Sequence, residues 1–186
     1  MPAVMFMVEK SSGEIKSRTC ANGSIQRSYV DRVDASSPTV SAPAIMITSM
    51  IEARERRVMM TADIPNAFIQ TQHPKHDKDG QRYIMKLSGP MVDMLCQQLP
   101  EVYARFVYVD SKGVSHLYVR IDKAIYGMLE SALLFYKKLR KDLEAEGFEI
   151  NPCDPCVANK MINGKQMTVS WHVVANNMSG LEVDVK

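Results

Sequence analysis

Residues 59–68, Met59-Met60-Thr61-Ala62-Asp63-Ile64-Pro65-Asn66-Ala67-Phe68, decide how the rest of the chain is read. With Val58 ahead of it, the run Val58 to Asp63 has the apolar character of a buried strand. It ends in one acid, Asp63, and Pro65-Asn66 turns the chain at once. A strand with a single carboxylate at its tip has two readings. Asp63 satisfies backbone amides in the turn, or the strand holds it at a cleft as a metal ligand.

Upstream, Val4, Phe6 and Val8 alternate with other residues, Ser11-Ser12-Gly13 forms a turn signal, and IKSRTCANG runs from Ile15 to Gly23. This predicts two short strands joined by a turn. Asp34 to Pro38 carries helix-start chemistry, because Asp and Ser side chains accept from the free amides of a first turn. Ala44, Ile47, Met50 and Ile51 then recur at helical spacing, with Pro43 marking where the regular helix begins. The helix should end in the charged run Glu52 to Arg57.

Downstream, Gln70 to Gln81 is polar, contains Pro and Gly, and reads as an exposed loop. Tyr83 to Leu87 predicts a strand, and Met91 to Leu99 a short helix stopped by Pro100. Phe106 to Val109 and Leu117 to Ile121 flank Asp110-Ser111-Lys112-Gly113 as a hairpin. The longest helix is expected over roughly Met128 to Glu146, with Met128, Ala132, Phe135, Leu139 and Leu143 on one face and Lys137, Lys138, Arg140 and Lys141 on the other. Gly147 is placed to cap it. A hairpin turning at Asn163-Gly164 leads to a strand over Met167 to Val174. Strands and helices interleave without a strict βαβ rhythm, so the expected class is α+β.

The 186 residues, 46% hydrophobic and 24% charged, suffice for one ordinary core. A net charge of +2 neither demands nor excludes a nucleic-acid partner. Four scattered cysteines do not make a disulfide framework. No signal peptide or membrane-spanning run is expected, so no membrane partner is assigned. Cys153-Asp154-Pro155-Cys156 is one CxxC pair, with Cys20 and His172 as unmotivated further ligands. A closed zinc site needs four ligands, so a structural turn is the preferred reading.

Three blocks in order carry a family resemblance: Asp63-Ile64-Pro65-Asn66-Ala67-Phe68, then Ala124-Ile125-Tyr126-Gly127, then Gly147-Phe148 with Asp154-Pro155-Cys156. In these the chain resembles the reverse transcriptase domain of copia-type retrotransposons, and IKSRTCANG resembles the family's finger strand. The resemblance implies a partial right-hand polymerase over residues 1–186, fingers and part of the palm, with an antiparallel sheet packed on helices and the thumb absent. It implies template-directed nucleotidyl transfer with two metals, Mg2+ or Mn2+. Asp63 and the Ile64 carbonyl would ligate metal, with Asp63 catalytic. Phe68 would lie under the sugar of the incoming nucleotide; from the pattern alone it is a core aromatic. Tyr126 and Gly127 would floor the nucleotide site, or form a simple turn. Lys16 and Arg18 would contact the triphosphate, or line a solvated strand face. Template-primer RNA or DNA and dNTP are the implied partners, and an intracellular, cytoplasmic or particle-associated setting the implied location.

The chain departs from the family where a second acidic motif belongs. Ser170-Trp171-His172-Val173 is followed by Val174-Ala175-Asn176-Asn177, and the two adjacent aspartates expected there are gone. Glu182 and Asp184 stand too far on to replace them, and the end diverges from about 174. The expectation is therefore a catalytically dead reverse transcriptase fragment. The alternative is a non-catalytic nucleic-acid-binding or assembly remnant, with the basic helix face Lys137 to Lys141 tracking phosphates.

Overall fold

A computed structural model describes residues 1–75, 80–173 and 175–180; at 175 and 176 the backbone alone is described. Part of the expected loop, 76–79, falls outside these residues, as do Val174, Glu182 and Asp184. In chain order the elements are β1 (Ala3–Glu9), β2 (Ile15–Ala21), α1 (Arg32–Ala35), α2 (Ala42–Glu55), β3 (Val58–Asp63) and β4 (Ile84–Ser88). There follow α3 (Pro90–Gln98), α4 (Pro100–Tyr103), β5 (Tyr108–Val109), β6 (Ser115–Arg120), α5 (Ser131–Ala145), β7 (Glu149–Ile150), β8 (Val157–Ile162), β9 (Lys165–His172) and β10 (Ala175–Gly180). The class is α+β with antiparallel sheets. Among the described residues no helix is long and apolar enough to cross a membrane.

The chain divides into two compact units, each assembled from two separate stretches. The first comprises Met1–Asp31 and Gln72–Ser131. It holds the hairpin β1-β2 and the sheet β4-β6-β5. Gly13 at φ 79° closes the predicted first turn. Two small cores form here. One gathers Ala21, Tyr83, Ile121 and Met128, and the other sets Leu87 and Leu117 under Val92 of α3.

The second unit comprises Arg32–Thr71 and Ala132–Lys186, with the sheet order β3-β10-β9-β8-β7. Trp171, Val169, Met167, Val157 and Tyr136 make its core, with Leu133, Leu139 and Leu143 of α5 packed against it. The Asn163-Gly164 turn forms as expected, both residues at positive φ (49° and 77°), as a two-residue hairpin requires. Gly147 caps α5 at φ 83°, its amide reaching the Glu144 carbonyl while that of Phe148 reaches Leu143.

Four expectations are corrected. The α2 cap is Ser41, whose hydroxyl accepts from the Ala44 amide, and not the Asp34 to Pro38 stretch. The face expected to be buried on α2 is open, with Ile47, Met50 and Ile51 all exposed. The β3 strand is likewise not buried: Val58, Met59 and Met60 are exposed on this edge strand. Hydrophobic periodicity tells which residues share a face and does not tell what covers it. The long helix also starts three residues late, at Ser131, since Met128 belongs to the first unit's core.

Candidate functional site

The strand β3 delivers Asp63 as expected. Its carboxylate is exposed, and Ile64 after it is half-buried. The structure resolves what lies across from it. In the antiparallel register Asp63 is opposite Ala175 of β10, and Ala175 is opposite His172 of β9. The β9-β10 hairpin tip thus lies next to Asp63 in the sheet, with Ala175 as the register partner of Asp63. The tip residue Val173 has φ 55°, a left-handed conformation that disfavours a β-branched side chain.

A pair of divalent cations needs several carboxylate oxygens around it. Among the described residues no group of three or more His, Cys, Asp or Glu gathers to hold a metal ion. One exposed acid opposite an alanine does not fit Mg2+ or Mn2+. Phe68, in a short 3-10 turn, is 8% exposed and packs edge-to-face on Phe135, with ring centroids 6.2 Å apart. That is the environment of a core aromatic.

The remaining candidates belong to the first unit. Lys16 and Arg18, two residues apart on exposed β2, share one face of the strand. The Arg18 guanidinium lies over the Tyr126 ring, 5.9 Å from its centroid. Tyr126 and Gly127 form a turn ahead of α5 that is bonded to the end of β2. The Ala21 amide donates to the Tyr126 carbonyl at 2.8 Å, and the Gly23 amide to the Gly127 carbonyl at 3.1 Å. A Cβ on Gly127 would lie 2.0 Å from the Ala21 carbonyl oxygen, and φ there is 90°. The missing side chain therefore has a definite job, which is to let two backbone segments touch. Asp63, Ile64 and Phe68 stand in the second unit and Lys16, Arg18, Tyr126 and Gly127 in the first.

Asp154-Pro155-Cys156 forms the structural turn. The buried Asp154 carboxylate accepts from the Cys156 amide at 2.9 Å and from the Ser41 amide at 2.9 Å, tying the turn to the start of α2. Burial opposes ionisation there, but these amide hydrogen bonds outweigh it and hold the Asp154 carboxyl below the ordinary aspartate range. Cys156 is fully buried, and burial together with the Asp154 charge pushes its thiol up to about 11. Cys153 is exposed. A buried, protonated thiol is a poor zinc ligand. The basic face of α5 is partly neutralised along the helix, because Lys138 pairs with Asp142 and Arg140 with Glu144.

Two features went unread in the sequence. One is a cavity of about 270 Å3 in the second unit between α2 and β8-β9, lined by Ile47, Arg57, Asn159 and Thr168 among others. Neither Asp63 nor Phe68 lines it. Arg57, with only 5% of its side chain exposed, donates to Thr168 Oγ1 there at 3.0 Å. The other is a hydrogen-bonded serine–histidine–aspartate line, Ser88–His116–Asp110, in the first unit. The chain matches no protein-family model, no curated protein and no solved structure.

Proposed function

We propose that the chain is the remnant of a copia-type reverse transcriptase, fingers and part of the palm, that has lost nucleotidyl transfer. The observation that carries this reading is the strand register at Asp63. The lone acid of β3 lies across from Ala175 on the strand that follows Trp171-His172-Val173, where the resembling family has its acidic pair. An RNA-directed DNA polymerase descends to this state by losing the partner carboxylates while the strands that held them persist. Each 1.36 kcal/mol of lost transition-state stabilisation costs about tenfold in rate, and a missing metal-binding carboxylate costs several kcal/mol. Two such losses remove the activity.

Primer extension on an RNA template with dNTPs and Mg2+ or Mn2+ tests the loss: no product above background is expected, and a template-dependent product would overturn it. The exposed pair Lys16 and Arg18, with Tyr126 beneath Arg18, favours a second reading in which nucleic-acid binding outlived the chemistry. In that case affinity for an RNA–DNA duplex falls steeply with salt and weakens in Arg18→Ala. Salt-independent, negligible binding rejects this second reading.

A further inference from the structure

In the first unit, three side chains that the reading above does not use form a continuous hydrogen-bonded line. Ser88 ends β4 and is the register partner of His116 in β6. Its Oγ lies 2.9 Å from His116 Nδ1, and His116 Nε2 lies 3.0 Å from Asp110 Oδ2. The partners assign the tautomer. An ionised carboxylate offers only lone pairs, so Nε2 carries the ring proton and donates to Asp110. Nδ1 is then left with its lone pair facing the Ser88 hydroxyl, which donates to it.

The line is held from several directions. Asp110 Oδ1 accepts from the amides of Lys112 and Val114 at 2.9 and 3.0 Å, which fixes the hairpin turn and leaves Oδ2 for the histidine. The His116 hydrogen bond, followed by that of the Val114 amide, keeps the Asp110 carboxyl below the usual range and hence ionised. The His116 side chain is 9% exposed, and its ring stacks on Tyr108, with centroids 6.1 Å apart and 24° between planes. Ser88 itself is exposed. It is followed by Gly89 at φ 60° and ψ −135°, a backbone conformation open essentially to glycine alone. α3 starts one residue later, at Pro90.

We propose that Ser88 is an activated nucleophile that takes the acyl group of small activated carboxylic esters. His116 serves as its general base, and Asp110 as the positioning residue that sets the histidine tautomer. Ser88 Oγ adds to the ester carbonyl carbon as its proton passes to His116 Nδ1. The tetrahedral oxyanion collapses, the bond to the leaving oxygen breaks, and the leaving alcohol or phenol takes the proton from Nδ1. Water repeats the sequence on the acyl-Ser88, returning free serine and a carboxylic acid. Roles and geometry define such a relay, and neither residue order nor fold does.

The probes are a fluorophosphonate, which phosphonylates activated serines with loss of fluoride, and p-nitrophenyl acetate. The full chain is expected to incorporate one phosphonyl group, located on Ser88 by peptide mass spectrometry, and to lose labelling on heating. Ser88→Ala is expected to abolish both labelling and the p-nitrophenol burst. Loss of the general base in His116→Gln should slow acylation by about 10²- to 10⁴-fold. His116 is buried, so Asp110→Asn provides the arm that keeps the turn. Its amide oxygen still accepts from Lys112 and Val114, while its NH2 faces Nε2 and forces the opposite tautomer. Acylation in that variant should fall by about 10⁴-fold at neutral pH, as for a misassigned tautomer in such relays, and the residual rate should rise in proportion to hydroxide. A pure structural staple leaves the serine inert. The proposal is overturned if the folded wild-type chain is not labelled, if the label sits on another residue, or if Asp110→Asn reacts at the wild-type rate with the wild-type pH profile.

Discussion

Replacing Gly127 by alanine isolates the contact that joins β2 to the turn ahead of α5. The new Cβ would stand 2.0 Å from the Ala21 carbonyl oxygen, a backbone atom with no rotamer to escape into. The φ of 90° adds about 1–2 kcal/mol for an L-residue in left-handed space. Relieving the clash means separating the strands of backbone, which stretches the Ala21–Tyr126 and Gly23–Gly127 hydrogen bonds. Each is worth about 1 kcal/mol net. The sum is about 3–4 kcal/mol, a large fraction of the ~5–15 kcal/mol that holds a domain folded. Gly113 supplies the control. Its φ is 78°, yet a Cβ there meets nothing within 4 Å, so Gly113→Ala carries only the conformational share. Urea titrations followed by circular dichroism should therefore show Gly127→Ala destabilised by about 2 kcal/mol more than Gly113→Ala, the worth of two hydrogen bonds. Equal losses would mean that the close approach is not a tight contact, and the packing role given to Gly127 would fall.

Relieving the positive φ of Val173 by Val173→Gly should raise stability by about 1 kcal/mol, the left-handed strain less the added chain entropy of glycine; a lowered urea midpoint would refute it. Asp154 has a depressed carboxyl, so its stabilising effect is in full force above the ordinary aspartate range and is lost as pH falls through the folded value. Wild type should lose stability between neutral pH and pH ~3 more steeply than Asp154→Asn, measured by denaturant midpoints, because the amide cannot titrate. Equal slopes would refute the linkage. At pH 8 a thiol reagent should modify exposed Cys153 quickly and buried Cys156 only on unfolding, and the purified chain should carry no stoichiometric zinc. One equivalent of zinc, or Cys156 modified as fast as Cys153, would contradict the structural reading of that turn.

Local chemistry was legible where it decides the backbone by itself. Asn163-Gly164, Ser11-Ser12-Gly13 and Gly147 are such cases, since the left-handed conformations there select those residues. It failed where a distant partner decides. Ser41 rather than the Asp34 to Pro38 stretch starts α2, and its amide is held by Asp154, 113 positions away in the chain. The open face of α2 and the exposed edge strand β3 carry the same apolar patterns that buried elements carry, so pattern alone could not separate them. Of the site, the strand that ends in Asp63 follows the sequence reading. The buried state of Phe68 follows the bland reading of that residue. The Ser88–His116–Asp110 line had no sequence signal, because strand register between β4 and β6 brings together residues 28 positions apart.

Under the proposed function, Asp63 faces the place from which an acidic pair was lost. Restoring that pair by Val174→Asp with Ala175→Asp and titrating Mn2+, with free ion followed by electron paramagnetic resonance, tests it most directly. The wild-type chain should show no saturable site, the double variant should bind Mn2+ saturably, and that binding should be lost when Asp63→Asn is added. Binding that is indifferent to Asp63, or none at all in a double variant that folds normally, would contradict it.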